Sequence, residues 1–146
     1  MPDLNDLRDQ YHRAQQAFIR GDPGPQKLLW SRRDDITLAN PLSPPAKGYD
    51  RVCEVMDNAA AQVRDGEGLT LETISLVETP DLAYEVAIQR GTMKLGDADE
   101  MVPFALRVTS IFRREDQGWK LVHRHADPLM ERSIQSIWQV PTTRGS

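Results

Sequence analysis

Residues 104–128 read FALRVTSIFRREDQGWKLVHRHADP, and this stretch decides the fold. Phe104, Leu106, Val108, Ser110 and Phe112 stand on every second position, which is the period of a pleated strand with one face turned inward. Glu115-Asp116-Gln117-Gly118 then breaks the pattern, and Gly118 suits a turn that needs positive φ. A second alternating run, Trp119 to Ala126, follows at once, so the two runs form a hairpin. Its far end carries a polar cluster from His123 to Asp127, where a sheet can present chemistry.

Upstream of the hairpin lie two more alternating runs, Leu69 to Glu78 and Leu82 to Met93. The turns between strands are marked by Pro80-Asp81 and Gly96-Asp97. The first half of the chain is helical instead. Leu4, Leu7, Tyr11, Ala14 and Phe18 recur at helical spacing, with Asp3 placed to cap the start and Gly21 to end it. Gln26 to Trp30 reads as a short helix and Ile36 to Ala39 as a short strand. A second amphipathic helix runs from about Asp50 to Arg64 on Val52, Val55, Met56, Ala59 and Val63. Helices followed by an antiparallel meander give an α+β fold with helices on one side of the sheet. They can cover only one face. Because Leu71–Val77 and Leu82–Ile88 leave few purely polar faces, the other face is expected to be buried in a homodimer through the sheet.

The chain has 146 residues, 27% of them charged, and a formal net charge of −4. That supports one domain with a sizeable core, spanning about residues 4–129, followed by a tail (130–146) in which Ile134, Ile137 and Trp138 are expected to dock. An acidic balance gives no field for nucleic acid, and no apolar run is long enough to cross a membrane. The lone Cys53 fits a reducing cytoplasm and reads as a small core residue. Phosphate-binding loops, dinucleotide turns and nucleophile elbows are absent from the sequence, and no cofactor is expected.

Several segments together resemble the nuclear transport factor 2-like superfamily, which includes ketosteroid isomerase and the SnoaL-like polyketide cyclases. They are Asp34-Asp35-Ile36-Thr37-Leu38 after Trp30, Gly48-Tyr49 at a helix start, Ala83-Tyr84 in a strand, and Val108–Arg114 with Gly118–His125. The resemblance implies a cone-shaped curved antiparallel sheet wrapped around N-terminal helices, with a ligand pocket inside the cone. It implies ligand-lining positions at Trp30, Asp35, Tyr84, Val86, Thr109 and Val122. Thr109 matches the acid that serves the isomerase's oxyanion. The segment matching its general base, Leu38–Pro41, holds no carboxylate.

Two sets of residues compete to face the pocket. Pattern alone turns Phe104, Leu106, Val108, Ser110, Phe112, Trp119, Leu121, His123 and His125 inward. The resemblance favours the opposite set, with Arg107, Thr109, Val122 and Arg124 in the cone and the first set on the dimer surface. His123 and His125 share a strand face and are candidate proton carriers, with Asp127 as orienter. Zinc would need further ligands that the sequence does not place, so no metal is expected. A buried Arg107 or Arg124 needs an anionic ligand or a carboxylate such as Glu85, Glu72 or Asp127. The sequence therefore predicts a small-molecule-binding domain, with cofactor-free isomerisation, cyclisation or dehydration as its chemistry if it turns a substrate over. The alternative is a non-catalytic ligand sensor or oligomerisation scaffold.

Overall fold

A computed structural model describes residues 2–41 and 43–130. The expected docking of Ile134, Ile137 and Trp138 lies outside these residues. Helix α1 (Leu4–Phe18) starts at a capping box in which Asp3 and Asp6 exchange backbone and side-chain hydrogen bonds. It buries Leu4, Leu7, Tyr11 and Ala14. Next come the short α2 (Gly24–Lys27), two short strands β1 (Thr37–Ala39) and β2 (Ala46–Lys47), and helix α3 (Tyr49–Ala60). Four long strands complete the domain: β3 (Val63–Glu78), β4 (Leu82–Leu95), β5 (Val102–Glu115) and β6 (Gly118–Pro128). Among the described residues, no helix is long and apolar enough to cross a membrane.

The α+β cone expected from sequence is the fold observed: a six-stranded sheet in the order β2-β1-β6-β5-β4-β3, curved against α1 and α3. Three details differ. The sheet is mixed, because β1 runs parallel to β6 and pairs Thr37, Leu38 and Ala39 with His123, Arg124 and His125. The second helix ends at Ala60, and Val63 and Arg64, which read as its last turn, already belong to β3. Asp65 takes positive φ there, and the register with β4 slips on both sides of Glu67. Such irregularities bend an edge strand and blunt its pairing with other chains. Finally, the short helix covers Gly24–Lys27 rather than Gln26–Trp30.

The core runs from α1 and α3 to the inner faces of β5 and β6. Trp30, Ile36, Leu38, Met56, Phe112 and Leu121 are all essentially inaccessible to solvent. The ring of Phe112 meets that of Tyr11 edge-on at 6.0 Å between centroids.

Gly66 marks the closest approach of β3 to the end of α1. Its N–H donates to the carbonyl of Ile19 at 2.9 Å, and a Cβ added there would lie 2.3 Å from an Ile19 side-chain carbon and 2.5 Å from its carbonyl oxygen. Gly66→Ala is expected to destabilise the fold by about 1–3 kcal/mol through overpacking. Urea denaturation would check this; an unchanged midpoint would contradict the contact.

Candidate functional site

The register of β5 on β6 decides what the cone contains. Phe112 faces Leu121, yet Ile111 faces His123, so Val122 is an extra residue without an opposite number. This bulge changes the phase of β6. Before it, Trp119 and Leu121 point inward with Phe112. After it, Arg124 and Ala126 point inward with Ser110 and Val108, and all of these are buried. The interior therefore takes one candidate set from β5 and parts of both from β6. Strict alternation put His123 and His125 beside Leu121. One extra residue puts them on the outer face.

Several expected placements are corrected by this geometry. His123, His125, Asp127, Arg107 and Thr109 share the outer face, in the cross-strand rows Ile111–His123, Thr109–His125 and Arg107–Asp127. There Arg107 makes a two-point ion pair with Asp127 at 2.9 and 3.1 Å. His125 Nε2 lies 3.8 Å from the same carboxylate. Tyr84 and Val86 are opposite Ile111 and Thr109 and also face outward. Tyr84 is 42% exposed. Trp30 is buried in the core and does not line the cavity described next. Asp35 makes a two-point pair with Arg113 at 2.7 and 3.0 Å near the hairpin turn, and this guanidinium holds its carboxyl below the usual range. Val122 is buried at the bulge. Of the candidate catalytic and ligand-binding residues, Arg124 alone lines that cavity, together with Phe104 and Leu106 of the set that pattern turned inward.

His123 Nδ1 pairs with Thr37 Oγ1 at 2.7 Å on the outer face. Partial burial, and secondarily the nearby His125, push its pKa below 6.5, with the Thr37 contact opposing. The native state thus binds a proton less readily than the unfolded chain. Stability is present above 6.5 and is lost as pH falls from there through the lowered native pKa. His123→Asn is expected to flatten that part of the melting temperature–pH curve. An unchanged slope would assign it to other groups.

The inward residues of β4 are Ala83, Glu85, Ala87 and Gln89, all buried. Alanine at alternate inward positions leaves room for polar side chains from α1, whose residues 8, 11 and 15 follow one another along the helix at three- and four-residue spacing. A chain of contacts results. Arg8 donates to Glu85 at 2.7 and 3.0 Å, and Thr73 donates to the same carboxylate at 2.6 Å. The hydroxyls of Tyr11 and Ser110 lie 2.9 Å apart. Arg124 donates through Nη1 to Tyr11 Oη at 2.7 Å and through Nη2 to Gln89 Oε1 at 3.1 Å. Gln89 Oε1 also accepts from Gln15 at 3.3 Å, and Gln15 Oε1 accepts in turn from Gln26.

Arg124 and Glu85 are treated differently. The carboxylate has its cation. Arg124, only 4% exposed, meets a hydroxyl and an amide oxygen among the described residues and no carboxylate. A guanidinium has five N–H donors, and these are its two hydrogen bonds among the described residues. A buried cation in this position calls for an anion or a strong acceptor.

The space it faces is a cavity of about 180 Å³. Phe18, Ile19, Leu69, Met93, Phe104 and Leu106 supply its apolar walls. Arg124, Gln89, Gln15 and Gln26 supply the polar ones, and Asn40 and Gln62 also line it. Among the described lining residues there is no carboxylate, imidazole, thiol or phenol. The walls can enclose an apolar body, and Arg124 can hold or polarise an oxygen. They provide no group that exchanges a proton near neutral pH.

Gln89 and Gln15 were not anticipated from the sequence, and Glu85, expected as a partner of Arg107 or Arg124, is taken by Arg8 instead. The available signal was the alternation of Ala83, Glu85, Ala87 and Gln89 with a matching polar spacing on α1. It was masked because the intervening Tyr84, Val86 and Ile88 are the more apolar set.

The SnoaL-like domain family model matches residues 5–131. No curated protein matches the chain. Among solved structures, a candidate calcium/calmodulin-dependent protein kinase type II association domain from Thiobacillus denitrificans superposes with a TM-score of 0.73 at 23% identity, over 89% of this chain and 98% of its own. A ketosteroid isomerase-like protein from Erwinia carotovora atroseptica gives 0.73 at 21%, over 87% and 94%. A nuclear transport factor 2-like superfamily protein from Salmonella enterica serovar Typhimurium gives 0.70 at 14%, over 88% and 90%. At these identities the likeness is one of fold.

Proposed function

Because the chain belongs to the SnoaL-like domain family, within the nuclear transport factor 2-like superfamily, we propose that it binds a small, largely apolar molecule in its cone and holds that molecule's one anionic or carbonyl oxygen on Arg124. The observation that carries this reading is the buried Arg124 at an apolar cavity, with no carboxylate partner among the described residues. Burying a cation without a counter-charge is costly, and a ligand oxyanion would offset the cost when the cavity fills.

The reading is of binding rather than turnover. His123, His125 and Asp127, the candidate proton carriers, face away from this cavity, and its described lining offers no replacement. A relative described as isomerase-like shares the fold, but acid/base chemistry on this chain would need a proton carrier in the cone. A ligand-binding or sensing domain needs only the anchor and the apolar walls.

The test is a thermal-shift screen of small monocarboxylic acids against their methyl esters. A ligand at 100 times its dissociation constant adds about 2.7 kcal/mol, roughly 5–10 °C for a domain of this size. Acids are expected to shift the transition and esters to do so far less. Equal shifts from both would remove the role of Arg124's charge.

The same proposal assigns the outer sheet face to a second copy of the chain. Val77, Tyr84 and Ile111 form one cross-strand row with His123, and Ile74, Leu82, Val86 and Ile88 lie on the same sheet. Ile74, Val77, Leu82 and Tyr84 are substantially exposed, and grouped apolar exposure marks an interface. Tyr84→Arg is expected to convert a dimer to a monomer in sedimentation velocity without loss of fold. A wild type that sediments as a monomer at micromolar concentration would contradict the assignment.

A further inference from the structure

A second hollow, of about 440 Å³, adjoins the cavity and shares Asn40, Ala59, Gln62 and Leu95 with it. Both have apolar walls, and the outer one is the more polar of the two. The inner one is largely apolar apart from Arg124 and its amide neighbours. The outer one adds Ser43, Arg51 and Asn58 to the shared Asn40 and Gln62, between α3 and the β4 end at Leu95-Gly96. Arg51 is already engaged by Glu54 one helical turn away. The hydroxyl of Ser43 is buried and has no hydrogen-bond partner among the described residues, although its own backbone N–H reaches the carbonyl of Asn40. A buried hydroxyl in this state is costly unless something fills its capacity. Leu95, 47% exposed, borders both hollows at their junction.

Resting on the proposed binding function, we infer that the two hollows form one site for an elongated amphiphile. Its class is a monocarboxylate with an apolar chain and a distal hydroxyl or amide. The carboxylate sits on Arg124, the chain runs along Phe104, Leu106 and Met93, and the distal group reaches Ser43 and Asn58. Size agrees with this division. Pockets for drug-sized ligands occupy about 300–1,000 Å³, so the inner cavity holds only the body of such a molecule and its far end must emerge into the outer hollow.

The test is calorimetric titration of the wild-type chain with straight-chain acids from hexanoate to dodecanoate, each with and without a terminal hydroxyl. Affinity is expected to rise with chain length. Past a threshold length, the hydroxylated acid should bind about two- to tenfold more tightly than its plain partner, the worth of one neutral hydrogen bond. Ser43→Ala with Asn58→Ala should erase that preference and leave the plain acids unaffected. If the terminal hydroxyl weakens binding at every length while plain acids still bind, the two-part site is wrong and the Arg124 anchor stands. If the preference survives the double substitution, the distal group is elsewhere and the inference fails. If no acid in the series binds, the cavity reading itself fails, and this inference with it.

Discussion

Arg124→Leu is expected to weaken carboxylate binding strongly while leaving the domain folded and at least as stable. Hydrogen bonds to a charged group contribute about 1.5–3 kcal/mol, and each 1.4 kcal/mol is a factor of ten, so affinity should fall by roughly ten- to a hundredfold. The stability side follows from what surrounds the guanidinium. Its neighbours keep other partners when it is removed: Tyr11 retains Ser110, and Gln89 retains Gln15. No carboxylate among the described residues is left without its cation. Replacing a buried charge by an apolar side chain of similar length is often neutral or stabilising. A residue kept against stability is a mark of function. Calorimetric titration and urea denaturation on the same variant separate the two effects. A loss of several kcal/mol in stability would instead make Arg124 a structural member of the core.

Arg8→Ala should do the reverse, costing stability without touching the cavity. Glu85 has a side chain only 5% exposed and depends on Arg8 for its charge partner, with Thr73 as its other donor. Leaving a buried carboxylate without its cation costs about 3–5 kcal/mol. The lower end applies here, since Arg8 is partly exposed and Thr73 remains. A loss of about 3 kcal/mol corresponds to roughly 6–12 °C in melting temperature for a chain of this length. Adding Glu85→Leu to Arg8→Ala should recover much of the loss, because it removes the stranded charge. If the double variant is no more stable than the single one, the pair's contribution lies in packing and not in charge.

These two arginines show where sequence reading succeeded and where it stopped. The order of elements was legible because it rests on period: the α1 stripe from Leu4 to Phe18 and the alternation in β4, β5 and β6 are local and strong. Which side of a strand faces inward is not a local property. Along β4, Tyr84, Val86 and Ile88 are the apolar set, yet they lie outside. The inside belongs to Ala83, Glu85, Ala87 and Gln89, whose polar members Glu85 and Gln89 are met by Arg8 and Gln15 of α1, over seventy positions away in sequence. In β6 the difficulty is a single residue. Val122 breaks the phase between Leu121 and His123, and nothing about a valine in an apolar run announces a bulge. That one unpaired position moves the histidines out of the cone and leaves Arg124 in it. The sequence did identify Arg124 and Arg107 as needing an anion. The structure divides them, giving Arg107 the carboxylate of Asp127 and leaving Arg124 without one among the described residues.

The early strand register of β3 was hidden for a related reason. Val63 continues the apolar spacing of α3, so the helix pattern runs on after the helix itself has ended at Ala60. The β3–β4 pairing of Val63 with Leu95 and Arg64 with Lys94 competes for the same residues and prevails. Tertiary pairing overrides a weak local preference at such a boundary.

The central claim is that Arg124 anchors a ligand inside the cone. The most direct measurement is a crystal structure of the protein with octanoate. The account predicts a carboxylate within hydrogen-bonding distance of the Arg124 guanidinium and an alkyl chain lying against Phe104 and Leu106. An octanoate bound instead beside His123 and His125 on the outer face, with the cavity filled only by water, would contradict it.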